Sequence, residues 1–243
     1  MQFGFGAGVL YVVRTDIAGG APIRFGAFQD LQLDFTGDIK ELYGQNQFAL
    51  DVARGKVKIE GKAKFAQISA PLANAVYFGG TITAGQTICQ YGEVVTVATT
   101  ATVAHAATFA SDLGVYDATT GNPYERETGG ASAGLSSGQY SVDSNGTYHF
   151  AAGDAGKSVL IDYSYTAVTG WTLQSGNPLM GNTPRFSTTF QQTYGGNTVT
   201  VLMPNCVGNK FTMPTKVDDY MIEEFDFQAF AGAGSPVTIS TST

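Results

Sequence analysis

Between Val52 and Phe65 the chain alternates almost without a break. Arg54, Lys56, Lys58, Glu60, Lys62 and Lys64 fall on one parity; Ala53, Gly55, Val57, Ile59, Gly61, Ala63 and Phe65 fall on the other. Successive side chains of an extended strand point to opposite faces, so this pattern predicts a β-strand with one charged and one packed side. Gln29–Phe35 alternates the same way, with Leu31, Leu33 and Phe35 on one face and Asp30, Gln32 and Asp34 on the other. Val9–Arg14 reads as a further strand, Thr15–Pro22 as a loop, and Tyr43–Asn46 as a polar turn. One short helix follows: Ser69 is placed to cap it, Pro71 suits its first turn, Gly79-Gly80 stops it, and Leu72, Ala75, Val76 and Phe78 form its apolar side.

From Gly80 to about Thr166 the chain turns Ala-, Thr-, Ser- and Gly-rich. Strand-like pieces are Val94–Val103, Gln139–Val142, Thr147–Phe150 and Ser158–Tyr165, with Asn145-Gly146 a hairpin signal. Further on, Phe186–Tyr194 and Thr198–Met203 flank a Gly195-Gly196-Asn197 turn. Lys210–Met213 and Glu223–Phe230 supply further strands, the last with Phe225, Phe227 and Ala229 on one face and Glu224, Asp226 and Gln228 on the other. The reading is an all-β fold with one short helix. Its boundaries are a core first half at 1–83, a β-rich insertion or elaboration at 84–166, a core second half at 167–231, and a polar tail at 232–243.

Composition sharpens this. The 31 glycines fit many turns, and 243 residues suffice for a real core. Charged residues are 14% of the chain, sparse for a monomer's surface, which favours coverage by neighbouring subunits. The net charge of −7 is uneven. Residues 84–166 hold 2 Lys+Arg against 8 Asp+Glu, whereas residues 1–83 hold 8 against 7. Nucleic-acid affinity draws on Lys and Arg to displace counterions, so the balance argues against tight DNA binding; simple solubility accounts for an acidic chain. No apolar run approaches the ~20 residues of a membrane span, and the N-terminus lacks a secretory pattern, so assembly in a cytoplasm is expected.

Local motifs do not assemble into chemistry. Gly4, Gly6 and Gly8 are no dinucleotide fingerprint, since Val9 stands where the third glycine is needed. Gly153–Ser158 ends like a phosphate loop, but Ala151 occupies its first glycine position. His105 and His149 have no Cys or His partner at ligand spacing. Serines lack a nucleophile elbow, and the pairs Asp218-Asp219 and Glu223-Glu224 diverge on a strand. Cys89 and Cys206 read as buried, reduced thiols, with an intersubunit disulfide as the alternative. No catalytic, cofactor-binding or metal-ligating residue is nominated, and a non-enzyme is expected.

Two stretches carry a resemblance. FGAFQDLQLDFTGDIKELYGQNQFALDVARGKVKIEGKAKFAQISAPLANAVYFG, at Phe25–Gly79, resembles the first half of the tail tube (major tail) proteins of tailed bacteriophages. GNPLMGNTPRFSTTFQQTYGGNTVTVLMPNCVGNKFTMPTKVDDYMIEEFDFQAFA is similar to their closing order of elements: hairpin, polar loop, acidic link and final Phe-x-Phe-x-Ala-Phe strand. Together these cover residues 20–80 and 170–231, about half of the chain. The resemblance implies a tail-tube-like β-sandwich or barrel with a flanking helix and an inserted β-rich segment. It implies hexameric rings stacked into a conduit for DNA ejection, in a virion tail assembled in the host cytoplasm. Partners would be further copies of the chain, a tape measure protein, a tail terminator, baseplate or tail-tip proteins, and a sheath in a contractile tail. DNA would pass without specific binding, and no membrane partner is implied. Met1–Val9 and the Tyr43–Phe48 loop are the segments expected to aid stacking.

Two other readings compete. A secretion-system tube uses the same fold for other cargo. A monomeric β-rich decoration module would bind carbohydrate through Tyr116, Tyr124, Tyr140 and Tyr148.

Overall fold

The computed structural model describes residues 6–67, 69–128, 134–215 and 217–242. Of the Met1–Val9 segment, residues 1–5 lie outside that set. The first strands are β1 (Val9–Arg14), β2 (Ile23–Arg24), β3 (Phe28–Tyr43) and β4 (Ala49–Phe65), followed by the helical segment α1 (Ala70–Ala73). Next come β5 (Thr81–Thr96), β6 (Thr100–Thr102), β7 (Phe109–Asp117), β8 (Glu125–Arg126), β9 (Gln139–Val142), β10 (Thr147–Phe150) and β11 (Ser158–Gln174). The chain closes with β12 (Arg185–Tyr194), β13 (Asn197–Thr212), β14 (Glu223–Ala229) and β15 (Thr238–Thr241). The fold is all-β with one short helix, its strands antiparallel except for the β8–β9 pair.

The chain divides into two compact units, Met1–Ile82 with Leu173–Thr243, and Thr83–Thr172. In the first unit the strands run β2-β1-β12-β13-β14-β4-β3, with β15 also on β13. β2 and β3 stand at opposite ends of that order, yet only residues 25–27 join them. The sheet therefore curls until its ends meet. Phe25 marks the meeting point: it is buried, and its ring stands edge-on to Phe65 at 4.8 Å, while Phe28 of β3 reaches Phe190 of β12 at 6.2 Å. Leu10, Val12, Ile59, Phe65, Phe186, Met203, Phe225 and Phe227 fill the enclosed core. The β12–β13 hairpin turns on Gly195 and Gly196, both at positive φ (58° and 83°), as a two-residue hairpin loop requires.

The helical segment keeps the ends that its sequence signals but changes type along its length. Four α-helical residues pass into a π-helical turn at Asn74–Phe78, and the segment ends on Gly79 at φ 62°. Leu72, Ala73, Ala75 and Val76 are buried, while Phe78 is only half-buried. Ser69 makes no side-chain cap bond. The hydrogen-bonding side chain is instead Asn74, whose amide accepts from the Gly80 N–H at 2.6 Å and donates to the Gly80 carbonyl at 3.1 Å.

The second unit pairs a β6-β10-β9-β8 sheet with a β5-β11-β7 sheet over one core of Val115, Tyr140, Tyr148, Phe150, Ile161 and Tyr163. One sequence expectation changes here. Val94–Val103 is not one strand, because β5 ends at Thr96 and β6 is separate. The 232–243 tail contributes a strand: Thr238–Thr241 pairs with Val199–Leu202 of β13, the part of that strand that β14 does not reach.

Candidate assembly interface

β3 and β4 pair along nearly their whole length, but the third strand stops short. β14 accompanies β4 only as far as Ala229 opposite Ile59. Up to that point Leu31, Leu33, Ala63 and Ile59 face the core. Beyond it the two strands continue as an unaccompanied ribbon to a tip at residues 44–48, ~25 Å at ~3.3 Å per residue. The face that was packed carries its apolar residues outward as it emerges, interrupted by Arg54 opposite Ile39 and Glu41 opposite Val52. Phe35 is 50% exposed, Val57 52% and Ile39 58%, with Val52 beside them. At the tip Phe48 and Leu50 are exposed as well. A two-stranded ribbon is marginal alone in water, and exposed large apolar side chains beside open strand edges mark an interaction surface.

The charged row does not continue unbroken along this ribbon. The ladder shifts between Gly37 and Ile39: Gly37 lies opposite Val57, but Ile39 lies opposite Arg54. The extra residue on β4 turns Arg54 onto the face of Val57, and a Cβ on Gly37 would meet the Arg54 side chain at 3.1 Å and Val57 at 3.7 Å. The expected row of Arg54, Lys56 and Lys58 is thus split.

Within one copy of the chain the aspartates of β3 form no ion pair with that row among the described residues. Asp30 does lie opposite Lys64, but Asp34 lies opposite Glu60 and takes its hydrogen bonds from Gln32. Lys62 and Lys64 are held instead by Glu224 of β14, at 3.1 and 3.6 Å. The hydrogen bond to Glu224 raises the Lys62 pKa, and the same bond lowers that of Glu224. Sequence reading placed Glu224 on the correct face of its strand and missed the partner strand. Lys56 and Lys58 make no ion pair among the described residues.

The polar clusters elsewhere are structural in geometry. Asp112, nearly buried, accepts hydrogen bonds from Tyr140 at 2.8 Å and Tyr148 at 2.9 Å and is approached by Arg126 at 3.4 Å. Burial, then Asp112, raises both tyrosine pKa values. Asp154 is buried and accepts from Ser137, from the Gly138 N–H at 2.8 Å and from Lys157 at 2.6 Å. The phosphate-loop-like Lys157 therefore turns back onto its own turn, and strand β11 rather than a helix follows it. Its pKa is raised by Asp154, so the Ser137–Lys157 approach at 3.4 Å offers no neutral amine to act as a base.

The tyrosines proposed to bind carbohydrate are not a surface. Tyr124, Tyr140 and Tyr148 are buried in the second unit's core, and Tyr116 is half-buried. His105 stacks on Tyr165 at 3.9 Å, and His149 Nε2 bonds Asp143 at 2.9 Å. Cys206 is buried, and burial pushes its thiol up to about 12, but Cys89 is exposed, against expectation. A crevice of about 530 Å³ between residues 78–81 and 174–178 is lined without any ionisable side chain. Among the described residues no three His, Cys, Asp or Glu side chains are grouped to hold a metal, and no helix is long and apolar enough to cross a membrane.

No protein-family model matches the chain, and no curated protein is significantly similar to it.

Proposed function

We propose that this chain is a structural subunit that closes into rings, hexameric by the resemblance, and that the rings stack into the tail tube of a bacteriophage. The observation that carries the reading is the β3–β4 ribbon, whose core face continues as an exposed Phe35–Val57–Ile39–Val52 strip. One copy of the chain leaves that strip in water; a neighbouring copy would cover it. The low content of charged residues and the curled all-β unit support the same reading.

The role is passive conduction rather than catalysis. Copies of the chain form the wall, a tape measure protein sets the length, and a terminator and baseplate or tail-tip proteins close the ends, with a sheath outside in a contractile tail. The acidic balance keeps DNA from adhering as it passes. Lys56 and Lys58 must then face away from the lumen or meet carboxylates of the next copy. Sedimentation velocity over a concentration series tests the proposal: association into species of several subunits supports it, and a monomer at every concentration overturns it.

A further inference from the structure

Glu223 opens strand β14 in a place where a carboxylate has nothing to hold. It lies opposite Phe65 and two residues before Phe225, on the core side of the sheet, and is fully buried. Neither carboxyl oxygen has a hydrogen-bond partner. An ionised carboxylate in such a site lacks both solvation and a counter-charge, and the neutral acid is the form the site tolerates.

The charges of the adjoining elements are directed elsewhere. On β4, Lys62 and Lys64 are bound to Glu224 on the opposite side. On β13, Lys210 lies opposite Asp226 and shares its side. On β14 itself, Glu224 and Asp226 alternate away from Glu223. In the helical segment the only titratable side chain is Tyr77, whose ring packs near Phe78 and Phe211. Of the described residues in the preceding loop, the titratable ones are Asp218, Asp219 and Tyr220, all exposed; Lys216 of that loop lies outside the described set.

We infer that Glu223 is a proton-dependent latch on the start of β14: protonated, it seats in the core, and loss of the proton draws it and the preceding loop toward water. The inference is independent of the tube reading. Its direction follows from burial, which lifts the Glu223 carboxyl to about 7. A folded-state value above the ordinary one means that the latch is fully seated below pH ~4.5 and weakens as pH rises through ~7. A shift of this size changes the seated-to-open ratio by up to roughly three hundredfold, most of it between pH 5 and 8.

Hydrogen exchange of the full-length chain, followed by mass spectrometry at pH 5 to 8 and corrected for intrinsic exchange, reads this directly. The opening constant of the peptide spanning Glu223–Ala229 is expected to rise by up to roughly a hundredfold across that range. Strand β10 in the second unit should show no such change. In Glu223→Gln the rise should vanish, with protection at pH 8 matching that of the wild type at pH 5. A pH-independent wild-type opening constant overturns the proposal without reference to any variant. So does a rise that persists in Glu223→Gln, or one shared equally by β10.

Discussion

Arg54 and Val57, three residues apart on one strand, share a face of the β3–β4 ribbon because the ladder slips between Gly37 and Ile39. That slip decides which residues the ribbon presents. It places an arginine within the apolar strip beside Ile39 and leaves Lys56 and Lys58 outside it.

Introducing charge into the strip separates association from folding. Val57→Asp and Ile39→Asp alter half-exposed side chains with no core contact, so each should change monomer stability by no more than about 0.5 kcal/mol. Each should lower the self-association constant by tenfold or more, because an aspartate would be buried unpaired in the contact. Thermal melts paired with sedimentation measure the two effects.

Gly208 is fixed by a close approach. A Cβ there would lie 2.4 Å from the Val76 carbonyl oxygen and 2.9 Å from the Phe225 ring, so the helical segment would have to lift from β13. Gly208→Ala should cost about 1–3 kcal/mol by overpacking. Denaturant unfolding, followed by exchange of the residue 70–78 segment, checks it.

In the second unit, Asp112 accepts two phenolic protons in a buried site. Asp112→Ala would leave Tyr140 and Tyr148 unpaired and should destabilise that unit by about 2–4 kcal/mol. Near-ultraviolet circular dichroism of the tyrosines reports the loss. Double variants with Tyr148→Phe should cost less than the sum of the singles.

Asp154 predicts the acid side. Burial works to raise its pKa, but hydrogen bonds from Lys157, Ser137 and Gly138 hold it below the ordinary value. A lowered folded-state pKa stabilises above the unfolded value near ~4 and is lost as pH falls through the folded one. The second unit should therefore weaken on acidification below pH ~4, and Asp154→Asn should flatten that part of the stability profile.

Several elements were legible from strand-like runs and turn signals. Val9–Arg14, Gln139–Val142 and Thr147–Phe150 are strands with the predicted ends, and the core side of β14 follows from Phe225, Phe227 and Ala229. Alternation assigns a residue to a side but not to an environment. Val57 and Ile59 share a parity, and only Ile59 lies within reach of the core. The slip at Gly37–Ile39 was hidden because an extra residue on one strand leaves no mark in that strand's own pattern. Glu224 as partner to Lys62 and Lys64 depended on a pairing some 160 residues apart in sequence, which local periodicity does not encode. Thr238–Thr241 holds a single apolar residue, the exposed Ile239, too little for a periodic signal, and it pairs with β13 through its backbone.

The most direct test of the assembly reading is negative-stain electron microscopy of the purified protein across a concentration series. Hollow rings or tubes that Val57→Asp abolishes are the predicted result. Featureless monomers at every concentration, even with tape measure and baseplate partners added, would contradict it.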